Sequence, residues 1–348
     1  MKAGDIFALQ DEVCRSVSRT LEVRLEPGAD ARPRTRTAAN AAAYDAYLRG
    51  KYVFRRELLG QFDFKAAAAY FQSSIDADPR FTPAYAELAF VYTWQGLFAE
   101  PERQPELLDR ASALLAQAES MDPDLPDIHL VRSEIVWSPA RGFRIAEALR
   151  ELRIAQKIDP HRGNQQLGSL YAHIGLEAQS LEAFRRDAEV DPAGTYTAST
   201  YVDGLVCLGL FERAVQEQRR LTNTPGPAIA LLLTEGLAAT PQSISSPLGL
   251  ALAGRFAEAE AAALTVLAGR PARYLHHSMS QLAGVYALQG KAREAIAILR
   301  RTAELGLPSY PLVERDPSLD RIRKDPEFLR FADESKARWL SYQREFAR

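Results

Sequence analysis

Cysteine is nearly missing from this chain: Cys14 and Cys207 are the only two in 348 residues. So distant a pair builds neither a disulfide framework nor a paired-cysteine metal knuckle. Long apolar runs are missing too. The most hydrophobic stretches, "GLVCLGLF" at 204–211 and "AIALLLTEGLAA" at 228–239, fall well short of the roughly 18 residues that span a bilayer, and Glu235 interrupts the second. An excess of one charge is also absent. Lys plus Arg number 43 against 45 Asp plus Glu, a net charge of −2, so no basic field recommends duplex nucleic acid as a direct partner. Near the N-terminus Lys2 is followed by Asp5, Asp11 and Glu12 where a signal peptide needs an apolar core, so the expected location is cytoplasmic.

Catalytic signatures are equally scarce. There is no GxGxxG after a strand, no phosphate-binding Walker loop, no HExxH and no Gly-x-Ser-x-Gly elbow. The histidines are His129, His161, His173, His276 and His277. Adjacent residues on a helix point about 100° apart, so the His276–His277 pair alone makes a poor bidentate ligand. The expectation is therefore no catalytic residue, no cofactor and no metal.

What the chain has in quantity is alanine, helical periodicity and regularly spaced breakers. Residues 5–25 carry Ile6, Leu9, Val13, Val17, Leu21 and Leu25 on one helical stripe. Residues 26–42, rich in Pro, Gly, Ala and Arg, read as a linker. Its Arg32, Arg34 and Arg36 suit either solvent or an anionic partner. From residue 43 onward the pattern is helix, short turn, helix. Asp-Pro stops recur with Pro79, Pro123, Pro160 and Pro192 lying 44, 37 and 32 residues apart. Proline lacks the N–H that would continue a helix and forces its predecessor out of the helical region, so each stop closes a helix. Asp78, Asp122, Asp159 and Asp191 are thus turn residues rather than general acids. Gly175, Gly209, Gly254 and Gly290 suit sharp turns between helices, because glycine tolerates positive φ.

The segment 164–192, "NQQLGSLYAHIGLEAQSLEAFRRDAEVDP", places Leu167-Gly168, Tyr171, Gly175, Ser180, Phe184 and Pro192 in the order of the tetratricopeptide repeat, with Asn164 in its aromatic slot. Residues 279–302 repeat it as Leu282-Ala283, Tyr286, Gly290, Ala295 and Leu299, and 85–92 supply Tyr85, Leu88-Ala89 and Tyr92. The chain resembles that family. The resemblance implies an all-α, right-handed α-solenoid of about seven helix-turn-helix repeats at 43–310. Insertions are expected at 97–105 and 138–143. A helical cap at 311–348 and the helix at 1–25 flank the array.

In such arrays the first helix of each repeat lines a concave groove. Counting from the aromatic slot, the exposed positions are minus two, plus one, plus five, plus eight and plus nine. They are Phe90 and Trp94; Glu134 and Trp137; Arg162, Gln165, Ser169 and His173; and Tyr196 and Asp203. Phe90, Trp94 and Trp137 read either as apolar anchors for a partner or as core beneath the insertions. Gln165 and Ser169 stand where a clamp for C-terminal carboxylates needs Lys and Asn, which disfavours that partner class.

The ends of the chain resemble a narrower group. "GDIFALQDEV" at 4–13, "AYDAYLRGKYVFRR" at 43–56 and "VERDPSLDRIRKDPEFLRFADE" at 313–334 look like the flanks of tetratricopeptide arrays that follow TolB-like domains in bacterial signalling proteins. There the array follows a winged-helix, adenylate cyclase or Ser/Thr kinase domain, whose residues this chain lacks. The reading is a scaffold for a protein or peptide partner in a bacterial regulatory system, standing alone or as the tail of a larger regulator. A small-molecule-sensing module is the alternative.

Overall fold

The structure is a computed structural model, and it describes residues 36, 38–57, 63–190, 195–222, 228–235, 245–269 and 272–347. The expected helix at 1–25, nearly all of the linker and the Asp191-Pro192 stop lie outside the described residues. Within the described set there is no strand, and no helix is long and apolar enough to cross a membrane.

The fold is an all-α helical-repeat solenoid. Its helices are α1 (Ala41–Glu57), α2 (Phe64–Ala77), α3 (Thr82–Phe98), α4 (Gln104–Met121), α5 (Pro126–Val136), α6 (Ile145–Ile158), α7 (Asn164–His173), α8 (Glu177–Val190), α9 (Thr195–Cys207), α10 (Phe211–Thr222), α11 (Ala228–Glu235), α12 (Pro247–Leu252), α13 (Phe256–Ala268), α14 (Leu275–Leu288), α15 (Ala292–Glu304), α16 (Tyr310–Arg315) and α17 (Pro326–Phe346). Hairpins α7–α8, α9–α10, α12–α13 and α14–α15 stack with first helix against first helix, α7 on α9 and α12 on α14. By compactness the chain falls into two units, residues 1–96 with 103–132, and 97–102 with 133–348.

Two turn chemistries recur among the described hairpins. Inside a pair, Gly175, Gly209, Gly254 and Gly290 sit at φ of 74°, 70°, 77° and 77°. At the first of them, Gly175 N–H donates to Ala172 O and Leu176 N–H to Tyr171 O, and the other three repeat the pattern. This Schellman arrangement satisfies the last carbonyls of the first helix, and it needs a residue free to adopt the left-handed region. Between pairs the aspartate carboxylate does the work. Asp78, Asp122 and Asp159 accept the N–H of Arg80, Asp124 and His161 at 3.1, 3.2 and 3.0 Å. The carboxylate thus tethers the chain across the proline that ends the helix, which is why aspartate precedes it. Asp316 and Asp325 reuse the bond at 2.8 and 2.7 Å.

In the first unit Phe71 packs over Gly50, where an added Cβ would lie 2.7 Å from the ring, and Ser74 Oγ donates to Ala43 O at 2.7 Å. Arg36 turns inward rather than toward an anionic partner or solvent. Its guanidinium grips the buried Asp122 carboxylate, with Nη2 at 2.9 Å. The α7–α8 crossing of the second unit repeats the Gly50 arrangement: a Cβ on Gly168 would meet the Phe184 ring at 2.8 Å, and Ser180 Oγ donates to Gly168 O at 2.8 Å. Asn164, in the aromatic slot, is buried and satisfied, accepting from Gln156 at 2.7 Å and donating to Pro160 O at 3.3 Å.

The C-terminal segment does more than close the last hairpin. Besides packing on α15, it reaches back to α6 and to the turns of earlier hairpins. Trp339 Nε1 donates to Gly175 O at 2.8 Å, and Arg315 donates to Glu177 and to Leu208 O, both at 2.9 Å. Arg150 pairs with Glu345 at 2.6 Å, and Arg153 donates to Phe346 O. The turn glycines admit this approach. A Cβ at Gly175 would fall 2.4 Å from Pro311, whereas one at Gly290 would meet nothing within 4 Å.

The two glycines therefore separate conformational strain from docking. Alanine at either position suffers a left-handed penalty of about 1–2 kcal/mol. Gly175→Ala must also displace Pro311, so it should lose at least about 1 kcal/mol more than Gly290→Ala in urea unfolding. Equal losses would mean that the C-terminal segment does not rest on the α7–α8 turn.

Candidate functional site

In the second unit the first helices surround a cavity of about 490 Å³. Its wall takes Trp137 from the end of α5, Ser169 and His173 from α7, Asp203 and Cys207 from α9, and His276 and His277 from α14. The groove count thus brings several expected residues together. Glu134, Gln165, Ser169 and Trp137 line a smaller adjoining recess. Gln165 Nε2 donates to Thr200 Oγ1 at 3.1 Å, and Asp203 is exposed at the cavity edge. Arg162 is exposed and pairs with Asp159 at 3.9 Å, away from the cavity. The Tyr196 side chain lies outside the described residues. Phe90 and Trp94 belong to the first unit. Trp94 is 4% exposed and meets the rings of Phe54 and Phe90 edge to face, so its indole is core packing there. Trp137, 6% exposed, is also packed, yet it forms part of the cavity wall.

The groove position at plus five on α5 is filled from within the chain. Glu134 and Arg273, both buried, approach to 2.8 Å, but the contact lies outside hydrogen-bond geometry, so it is chiefly coulombic. The guanidinium also stands 5.5 Å from the centre of the Trp137 ring. Around this pair the backbone is strained: Phe143, in the 138–143 insertion, has φ of 51°, unusual for a bulky residue, and is buried. Its ring packs edge-on to His276 at 5.7 Å, and a Cβ on Gly306 would touch it at 2.9 Å.

Three imidazoles lie at the centre. A ring nitrogen from each of His173, His276 and His277 falls within 4.8 Å of the others. His173 Nδ1 is 2.7 Å from Ser169 O, and its Nε2 is 3.2 Å from His276 Nε2. Burial, with Arg273 adding to it, lowers His173 to about 4, and burial holds His276 well below the ordinary imidazole range. Both rings are therefore neutral at pH 7 and keep a lone pair for a proton donor or an electrophile. Burial pushes the Cys207 thiol up, and its sulfur lies 3.9 Å from His277 Nδ1.

The expectation drawn from His276–His277 weighed two rings, and the structure brings a third beside them. His173 arrives from α7, and the first turn of α14 brings all three rings together, with the His276 and His277 ring centres 4.3 Å apart. The repeat count held the signal: His173 is at plus nine from Asn164, Cys207 at plus nine from residue 198, and His277 at minus two from Met279. Arg273 and His276 fall on no groove position, so the count could not have found them.

No sequence-defined family matches the chain. It is 29% identical over 134 residues to "Putative adenylate cyclase 3" of Rhizobium meliloti (strain 1021), a match covering 36% of this chain and 21% of that protein. Similar solved structures include a tetratricopeptide repeat protein from Parabacteroides merdae (13% identity, TM-score 0.37, 81% of this chain and 99% of that one). The P58(IPK) TPR domain is another (14% identity, TM-score 0.24, 87% and 99%). A third is Naa15/Naa10 bound to HypK-THB (16% identity, TM-score 0.31, 87% and 42%).

The buried ion pair gives this site a mutational signature. Glu134→Gln leaves Arg273 charged and uncompensated, and should cost about 3–5 kcal/mol in chemical denaturation. The double variant Glu134→Gln/Arg273→Met should recover most of that loss. A single variant as stable as the parent would show that the pair is solvated.

Proposed function

We propose that this chain is a non-catalytic scaffold that binds a protein partner in a bacterial regulatory or signalling system. The observation that carries this reading is the stacking of first helix on first helix. A helical-repeat fold of this kind is built for protein–protein contact, because it sets a row of parallel helices side by side. Arg162, on the turn leading into α7, and Asp203 on α9 stand exposed. The partial similarity to a putative adenylate cyclase supports a regulatory setting, in which the array serves an effector domain.

Charge reversal tests this. Arg162→Glu and Asp203→Arg change exposed positions and should move stability by no more than about 0.5 kcal/mol. Quantitative pull-down with the full chain should recover a partner that one or both variants lose by tenfold or more. A partner retained equally by both variants would remove this face from the reading. No saturable partner at native concentration would overturn it.

The cavity favours a second reading, a module that senses a small molecule. Its volume lies within the roughly 300–1,000 Å³ of ordinary ligand sites. Thermal shift against a metabolite panel separates the two, since a ligand that binds only the folded state must raise the melting temperature.

A further inference from the structure

We infer that His173, His276 and His277 form a binding site for one divalent transition-metal ion of the zinc class, with an open coordination position facing the cavity. The inference goes beyond the scaffold reading and stands or falls separately from it.

The first argument is distance. Zinc bound to imidazole at about 2.0–2.1 Å in tetrahedral geometry holds its ligand nitrogens roughly 3.3–3.4 Å apart. His173 Nε2 and His276 Nε2 are 3.2 Å apart. One ring nitrogen from each of the three histidines lies within 4.8 Å of the others, so closure asks for at most about 1.5 Å of movement, most readily from the half-buried His277.

The second argument is the placement of protons. The Ser169 carbonyl can only accept, so His173 carries its proton on Nδ1 and presents a bare Nε2. With no ion present, His276 must answer that lone pair with a proton on its own Nε2. Its Nδ1 is then bare and buried, while the Leu305 backbone carbonyl, which favours a proton on this ring, can only accept. A cation between the two Nε2 atoms removes the conflict. Both lone pairs point at it, and the His276 proton moves to Nδ1, on the side left for a carbonyl. A backbone carbonyl behind His173, and another bearing on His276, is the support that metal-binding histidines ordinarily have.

A metal binds the neutral rings directly, and Glu134 offsets the Arg273 charge. Borderline imidazole donors in a compact site suit zinc, copper or nickel over magnesium or calcium. The ion would join α7 to the start of α14, which lie 103 residues apart between His173 and His276.

The test uses the full chain without a polyhistidine tag, stripped with chelator and titrated with Zn²⁺ by calorimetry and with Co²⁺ by visible absorption. The expected result is one equivalent bound at micromolar affinity or tighter, the absorption of four-coordinate Co²⁺, and a rise in melting temperature. His277→Ala and His173→Gln should each weaken Zn²⁺ binding at least tenfold. His161→Ala, at an exposed position, should leave it unchanged. Should His173→Gln fail to fold, the wild-type stoichiometry and the half-buried His277 still decide. No saturable binding by the wild type would overturn the site and leave the rings as packed core. So would binding undiminished in His277→Ala, or lost in His161→Ala.

Discussion

The hairpins α7–α8, α9–α10, α12–α13 and α14–α15, and the aspartate turns between pairs, depend on ending a helix without stranding its last carbonyls, and then reversing direction within a few residues. Two devices meet that constraint. A glycine in the left-handed region lets two N–H groups fold back onto the first helix, and an aspartate before proline replaces the lost backbone bond with a carboxylate. Because both turns are short, successive helices run antiparallel and lie close. Glycine or serine at the crossings then permits the contact distances seen at Gly50–Phe71 and Gly168–Phe184. The stacking and the inner surface follow from those distances.

Close approach has a second use in the second unit. The turn glycines also seat the C-terminal segment, through Pro311 on Gly175 and Arg315 on Gly209. On the inner side, Trp137, Phe143 and Gly306 press together and His276 enters among them. The surface expected to be an open groove is there partly occupied by the chain's own residues, and a cavity bordered by polar groups remains. The chain around it departs from the local rules in several places: a bulky residue at positive φ, a buried ion pair, and imidazoles held neutral by burial. Such departures persist only where surrounding packing over-determines them, and they gather where a protein binds something.

The scaffold reading and the metal site meet at Asp203, exposed at the edge of the cavity that the histidines line, whereas Arg162 lies away from it. Arg162 is an exposed position, open to a macromolecule. The histidine cluster faces inward and could be loaded or empty without changing that outer charge. An ion there would hold two distant hairpins together, and so would tune the rigidity of the array that a partner meets.

The sequence alone determined the helix–turn–helix order and the turn residues, because these depend on bonds within a few residues of each other. Proline removes its own N–H, and glycine relieves its own φ. The repeat count placed Ser169, His173 and Asp203 on one face because the helical period is local as well. Which side chains would meet across that face was not local. Arg273 and Glu134 are 139 residues apart, and His173 and His276 are 103 apart. Their contact depends on the small angular offset added at each hairpin, summed over several repeats. No single repeat encodes that sum, so only the tertiary structure decided that two histidines, unpromising as neighbours, would acquire a third.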